Sequence, residues 1–352
     1  MTRQAAEAAL EQGVRRLYNV PEGAPVEELT EPLRTYVNYS LGTVLRGRLA
    51  MDEIRSFRAL QGIRFLDAGC AYGGFLMAAA EAGAHEVVGI DVDDRLLAIA
   101  RPFLAASGLP HRVEKGDASD PAFMEGLGGF DLITCNDVIE HVDSVPQLIR
   151  CLARATNEGG CLYVAAPNRM CPEFIRADPH FQLFGIVLLP RELARRYYAA
   201  KSGITYYDVG EYFGLDFHRS LIEGHGLEFQ VINVPGGHRE RVAELEAQFR
   251  EIEQAGAAFQ DPRLPGELNA EVRGAVAAAV QEFQTRLKRL RALEEWGQQE
   301  AVETEAALMT RDYAVPVWHI VARRPARNGV YRTEPPGLVR RALRVIGRLL
   351  RS

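Results

Sequence analysis

Residues 65–75 read Phe-Leu-Asp-Ala-Gly-Cys-Ala-Tyr-Gly-Gly-Phe: an apolar run that stops at an acid, Asp67, and turns through glycines into an alanine-rich segment. Further on, Val-Val-Gly-Ile-Asp-Val carries a second apolar run into Asp91. Short apolar runs bounded by glycine and acid read as buried strands of a parallel sheet. Such a sheet brings the glycine loop and both acids together at the carboxyl ends of adjacent strands. Nucleotide-like ligands bind there.

The charges narrow the ligand. A dinucleotide site wants G-x-G-x-x-G with a pyrophosphate at the helix N-terminus. Here Ala71 stands at the second glycine, and Asp67 precedes the loop. A carboxylate beside a pyrophosphate in a low-dielectric loop is repelled. It suits a ligand with an ammonium group, and S-adenosylmethionine has one on its methionine end and a ribose diol for Asp91. NAD fits the same loop less well.

The following segments keep that order. Residues 112–116 form a third strand-like run ending at Gly116-Asp117-Ala118, where Asp117 is placed to meet an adenine amino group. Phe130–Cys135 is a fourth strand, running into Asn136-Asp137-Val138-Ile139-Glu140-His141-Val142. Ser144-x-x-Gln147, with Pro146 in the first turn, starts a helix by a capping box. Cys161–Ala166 is a fifth strand.

With these motifs in register, residues 60–168 resemble a class I S-adenosylmethionine-dependent methyltransferase, of the broad group that includes the ubiquinone-biosynthesis O-methyltransferases. The resemblance implies a Rossmann-like α/β fold with a seven-stranded, mainly parallel sheet and an antiparallel last strand. It implies that Asp67, Gly69 and Gly73 hold the methionine end, Asp91 and Val92 the ribose, and Asp117 and Ala118 the adenine. Asn136 then begins the turn under the methyl group. The family's usual glycine is replaced by Ala71, so Gly73 and Gly74 are expected to supply the positive-φ freedom.

Around this core the chain divides into a helical cap (1–60), a methyltransferase core (61–236) with an acceptor-side insertion (169–207), a helical hairpin (237–310), a last strand (311–325) and a basic tail (326–352). The cap is broken at Pro21-Glu22-Gly23-Ala24-Pro25, and in related enzymes a segment so placed covers the cofactor. After the insertion, a helix over 209–224 and a strand over 227–234 resume the core. The hairpin rests on Val242, Leu245, Phe249 and Ile252 against Val276, Val280, Phe283, Leu287, Leu290 and Leu293, separated by the breaker Asp261–Gly266. It reads as a stalk packed on itself or its own domain, with a homodimer contact as the alternative. In the tail, Arg340, Arg341, Arg344, Arg348 and Arg351 share a helical face, so residues 338–352 either lie on an anionic membrane surface or dock on their own domain.

The net charge of −6 argues against a general nucleic-acid binder. Five cysteines without metal-type spacing, no secretory apolar region and no spanning run point to a cytoplasmic protein, peripheral at the inner membrane face if the tail binds there.

Methyl transfer from a sulfonium needs in-line alignment, exclusion of water and, for a hydroxyl acceptor, a base. His141, after the fourth strand, is the first candidate base, its plain alternative being a loop-ordering hydrogen bond. His180 on the insertion is the second, against a surface histidine. His218, His225, His238 and His319 carry no comparable argument. Asp137, Glu140 and His141 have the types for a hard divalent ion, but no fourth ligand is evident unless His180 folds in, and no metal is expected. Asp93 and Asp94 read as helix caps, Asp117 as a loop cap or adenine ligand, and Tyr36 and Tyr39 as cap packing or a cofactor cover. The expected reaction is O-methylation of a sugar, glycan or small-metabolite hydroxyl. Carbon or nitrogen methylation and a non-catalytic cofactor-binding scaffold remain the alternatives, with an NAD-linked oxidoreductase behind them.

Overall fold

The computed structural model describes residues 3–31 and 33–326. The tail assigned to 338–352 lies outside them. The described residues divide into two compact units, the first comprising residues 3–31, 33–166, 219–232 and 319–326, the second residues 167–218 and 233–318.

The first unit is built on a seven-stranded sheet: β1 (Arg64–Ala68), β2 (Glu86–Asp91), β3 (Arg112–Lys115), β4 (Phe130–Asn136), β5 (Thr156–Pro167), β6 (Glu228–Val231) and β7 (Val317–Arg323), in the order β3-β2-β1-β4-β5-β7-β6. The pairs β1–β2, β1–β4, β2–β3 and β4–β5 are parallel, and β6–β7 is antiparallel. Hydrogen bonds from Arg324 N to Gly160 O and from Asn168 N to Pro316 O make β7 antiparallel to β5 as well. That register sets His319 level with Ala165. Phe65, Leu66, Val88, Leu132, Ile133 and Leu162 are completely buried in the central strands. Such near-continuous apolar runs are what a parallel sheet covered on both faces requires.

Helices α1 (Arg3–Leu17), α2 (Leu33–Leu41) and α3 (Thr43–Ile54) form the cap, and α4 (Gly74–Glu81), α5 (Asp94–Ser107), α6 (Pro121–Leu127) and α7 (Val145–Ala155) follow the first four strands. Their starts are locally encoded. Asp93 accepts from Arg95 N at α5, Asp120 from Ala122 N and Phe123 N at α6, and Ser144 from Gln147 N at α7. α1 packs on α5 and α3 on α4. The second contact is backbone to backbone: a Cβ on Gly47 would stand 2.8 Å from Gly74 O and 3.0 Å from Phe75 Cα.

The second unit holds α8 (Pro172–Arg176), α9 (Arg191–Ser202), α11 (His238–Ala258), α12 (Gly266–Glu295) and α13 (Gln299–Met309), while α10 (Leu215–Gly224) precedes β6. The expected hairpin is α11 with α12, and the heptad-like residues from Val242 to Leu290 form its core. Phe249 and Phe283 stack at 4.2 Å, and Tyr313 meets both edge-on at 5.6 and 5.2 Å. The third helix, α13, was not foreseen. Arg286 of α12 binds Glu305 of α13 at 2.9 Å and also pairs with Asp312.

Two expected boundaries move. The helix placed at 209–224 starts at Leu215, because Gly210 and Gly214 each cost a helix interior about 1 kcal/mol relative to alanine. The last strand, placed within 311–325, starts at Val317 because residues 310–314 continue α13 as a π-helical turn. Replacing Gly47 by alanine is expected to destabilise the first unit by about 1–3 kcal/mol, measured by urea unfolding, since the obstructing atoms are backbone and cannot rotate away.

Candidate functional site

The loop after β1 is anchored to the loop after β2 by one side chain. Asp91 Oδ2 accepts the amide of Ala71 at 2.9 Å, and Oδ1 accepts that of Asp93 at 2.8 Å. Gly69 N and Cys70 N both reach Ile90 O at 2.9 Å, completing the junction. Burial raises the pKa of Asp91, while the two amides lower it. A carboxylate has about four lone-pair sites, so these bonds leave acceptors for a ribose diol.

Within the loop, Gly69 has φ 81°, Ala71 φ 42° and Gly73 φ 83°. The expectation that Gly73 and Gly74 would carry the freedom is therefore corrected in part. Gly73 does, Gly74 is the first residue of α4, and Ala71 itself adopts the left-handed conformation. Gly69 is doubly constrained, since a Cβ there would lie 2.2 Å from Val138 Cγ2.

Asp67 is buried at the end of β1 and accepts the Thr134 hydroxyl at 2.7 Å, from the registered position of β4. Burial pushes its pKa up to about 7, the Thr134 bond opposing and Asp91 adding to the shift. Among the described residues no cation partners this buried carboxyl, which fits an ammonium-bearing ligand. Val92 is 62% exposed beside Asp91, with its side chain open to a ligand face. Asp117 accepts Ser119 N at 2.7 Å, the loop-capping geometry, and Ala118 next to it is buried. The cap reaches this loop directly: the Tyr18 and Tyr72 hydroxyls lie 3.1 Å apart, and the Tyr18 and Tyr36 rings stack at 6.2 Å.

After β4, Asn136 Nδ2 donates to Asp137 Oδ2 at 2.8 Å, and Asp137 has φ 54°. The same oxygen accepts the hydroxyl of Tyr39 from α2. Arg46 lies 3.6 Å above that tyrosine ring, which remains 45% exposed. Glu140 is buried, its pKa is raised by burial, and its Oε2 has no hydrogen-bond partner in the described structure. His141 is exposed, with its amide bonded to Val138 O at 2.9 Å. His180 belongs to the second unit, where Asp178 accepts its amide at 3.0 Å and its Nδ1 lies 2.8 Å from the Tyr212 hydroxyl. The first unit carries every sequence-nominated residue but His180, which belongs to the second.

The profile of the family described as a methyltransferase domain matches residues 45–229, more than half of the chain. The chain belongs to that family. It is a class I S-adenosylmethionine-dependent methyltransferase, and S-adenosylmethionine is its methyl donor. A ubiquinone biosynthesis O-methyltransferase of Aromatoleum aromaticum is 31% identical over 183 residues, 48% of this chain and 74% of that protein. One of Thiobacillus denitrificans is 34% identical over 133 residues, 38% of this chain and 56% of that protein. Apart from the first, the chain spans about half the length of the curated relatives it matches. Among solved structures, magnesium protoporphyrin IX methyltransferase from Synechocystis is 15% identical with a TM-score of 0.42, covering 65% of this chain and 89% of that one. Helices α11, α12 and α13 lie outside the family match.

Two outcomes are expected for this methyltransferase. Below pH about 7 the Asp67 carboxyl holds a proton that an ammonium ligand must displace. Affinity for S-adenosylmethionine should therefore be flat above that pH and fall by up to about tenfold per unit below it, and Asp67→Asn should abolish that slope, as read by calorimetry. Ala71→Gly should stabilise the protein by about 1 kcal/mol by removing the side chain from a left-handed backbone, as read by thermal unfolding.

Proposed function

We propose that this methyltransferase methylates a hydroxyl of a sugar, glycan or small metabolite. The relatives' name supports an oxygen acceptor, and within this set their place in ubiquinone biosynthesis favours the small metabolite. The observation that carries the reading is the turn after β4. It carries an exposed imidazole, His141, in the turn that Asn136 opens at the carboxyl end of β4, the region where a hydroxyl's proton would be taken up.

In this reading Asp67, Gly69 and Gly73 hold the methionine end of the donor, Asp91 and Val92 the ribose, Asp117 and Ala118 the adenine, and Asn136 lies under the methyl group. Asp117 keeps its bond to Ser119 and offers its second oxygen. The bound ligand supplies an electrophilic methyl carbon. The protein aligns the acceptor with it, excludes water and removes one proton. His141 and His180 are the imidazoles that the sequence nominates for that last task.

Purified protein incubated with methyl-labelled S-adenosylmethionine and a host-cell extract is expected to label one pool among lipid, small-molecule, glycan, RNA and protein fractions. The label should vanish with Asp91→Ala. NMR of the labelled methyl carbon then tells oxygen from nitrogen or carbon, and a methyl on either of the latter sinks the reading.

A further inference from the structure

In the first unit a closed chain of contacts runs from the loop after β1, through the cap, to the turn after β4. The loop and the turn touch directly at Gly69, where a Cβ would lie 2.2 Å from Val138 Cγ2. From the loop, the Tyr72 hydroxyl meets that of Tyr18 at 3.1 Å, and Ser40 Oγ of α2 donates to the Tyr18 hydroxyl at 3.4 Å. From the turn, Asp137 Oδ2 accepts the hydroxyl of Tyr39, the neighbour of Ser40 on α2. The last turn of α2 therefore bridges the two segments to which the reading above gives the donor's methionine end and its methyl group.

The links of this chain are unequal. Val37 and Ser40 are completely buried and Tyr72 is 6% exposed, so α2 is seated and its tie to the loop breaks only by wetting apolar surface. Tyr39 faces outward on the same helix, with Arg46 of α3 stacked over its ring and Asp137 at its hydroxyl. Both of those partners are fixed. The backbone packing of Gly47 on Gly74 holds α3, and Asn136 Nδ2 donates to the same Asp137 oxygen at 2.8 Å. Among these contacts, the bond between Tyr39 and Asp137 is the one that opens by turning a single exposed side chain. Such turns take picoseconds to nanoseconds. The bond to the carboxylate then sets how much of the time the side chain stands open.

We propose that Tyr39 is a gate for S-adenosylmethionine, latched shut by Asp137. The inference rests on the reading that puts the methionine end at Asp67, Gly69 and Gly73 and the methyl group over Asn136. Closed, the phenol joins α2 to the turn after β4 and bars exchange of the ligand. Open, it swings off the turn while α2 stays in place. A gate of this kind multiplies the ligand's arrival and departure by the same open fraction. A residue that binds the ligand changes chiefly its departure.

Stopped-flow exchange of S-adenosylhomocysteine on the full chain tests the gate. Tyr39→Phe keeps the ring and its stacking on Arg46 and removes only the hydroxyl. It is expected to raise the association and dissociation rate constants together, each about tenfold, the weight of one hydrogen bond to a charged group, with Kd unchanged. Asp137→Asn keeps a side chain that tolerates the left-handed backbone there. It should act in the same direction alone and add nothing in the Tyr39→Phe background. Wild-type rate constants in Tyr39→Phe overturn the proposal. So does faster departure with unchanged arrival, which would make Tyr39 a ligand contact, and so do additive effects of the two substitutions. Wild-type affinity in Asp91→Ala overturns the placement of the donor itself, and the gate with it.

Discussion

One carboxylate joins the two halves of the cofactor loop system. Asp91 ends β2 and accepts from Ala71 in the loop after β1 and from Asp93 at the start of α5. Without it, both loops would present amides at a sheet edge where backbone groups must find partners. The turn at Ala71 is left-handed, and its amide donates to Asp91 at 2.9 Å. Gly69 then passes against Val138 with no room for a side chain, which fixes the distance between the loop after β1 and the turn after β4. A single acid thus determines where three separate segments meet.

The cost of the arrangement is buried negative charge. Asp67 and Glu140 are both buried carboxyls whose pKa values are raised by desolvation, and Asp91 adds to the effect at Asp67. In the free protein, protonation relieves that cost. An ammonium group bound there would relieve it at Asp67 without a proton, so binding would be best where the carboxyl is already ionised. Asp137 reaches the same end by a different route, with Tyr39 and Asn136 both donating to one of its oxygens. The cap helix α2 is thereby tied to the turn after β4.

The cofactor half of the site was readable because its determinants are local. A strand ending in an acid, a glycine turn and a capped helix are each encoded within a few residues, and Asp93, Asp120 and Ser144 cap their helices as their side-chain chemistry demands. What escaped the reading depends on distant partners or on competition between neighbours. Ala71 takes a conformation that its own side chain disfavours because Asp91 holds its amide. Helix α13 escaped notice because its buried residues, Val302, Ala306 and Met309, alternate with charges that pair outward or with Arg286. Glu53 and His319 are separated by most of the chain, and only the docking of α3 and the register of β7 against β5 bring them to one face.

The antiparallel side of the sheet explains how a long insertion can precede the strand that carries His319. Closing a loop costs entropy that grows only logarithmically with its length. The segment between β6 and β7 also brings its own core, with Phe249, Phe283 and Tyr313 packed ring on ring and Arg286 neutralising Glu305 and Asp312. β7 needs only its register, held by the pairing of Val231 with Ile320 on one side and of Gly160 with Arg324 on the other. A shift of one residue would turn His319 to the opposite face and bring Trp318 or Ile320 to Glu53, breaking the 2.7 Å contact between His319 and Glu53. The pairing on both sides of β7 thus holds the contact between the last strand and α3 as well as the sheet.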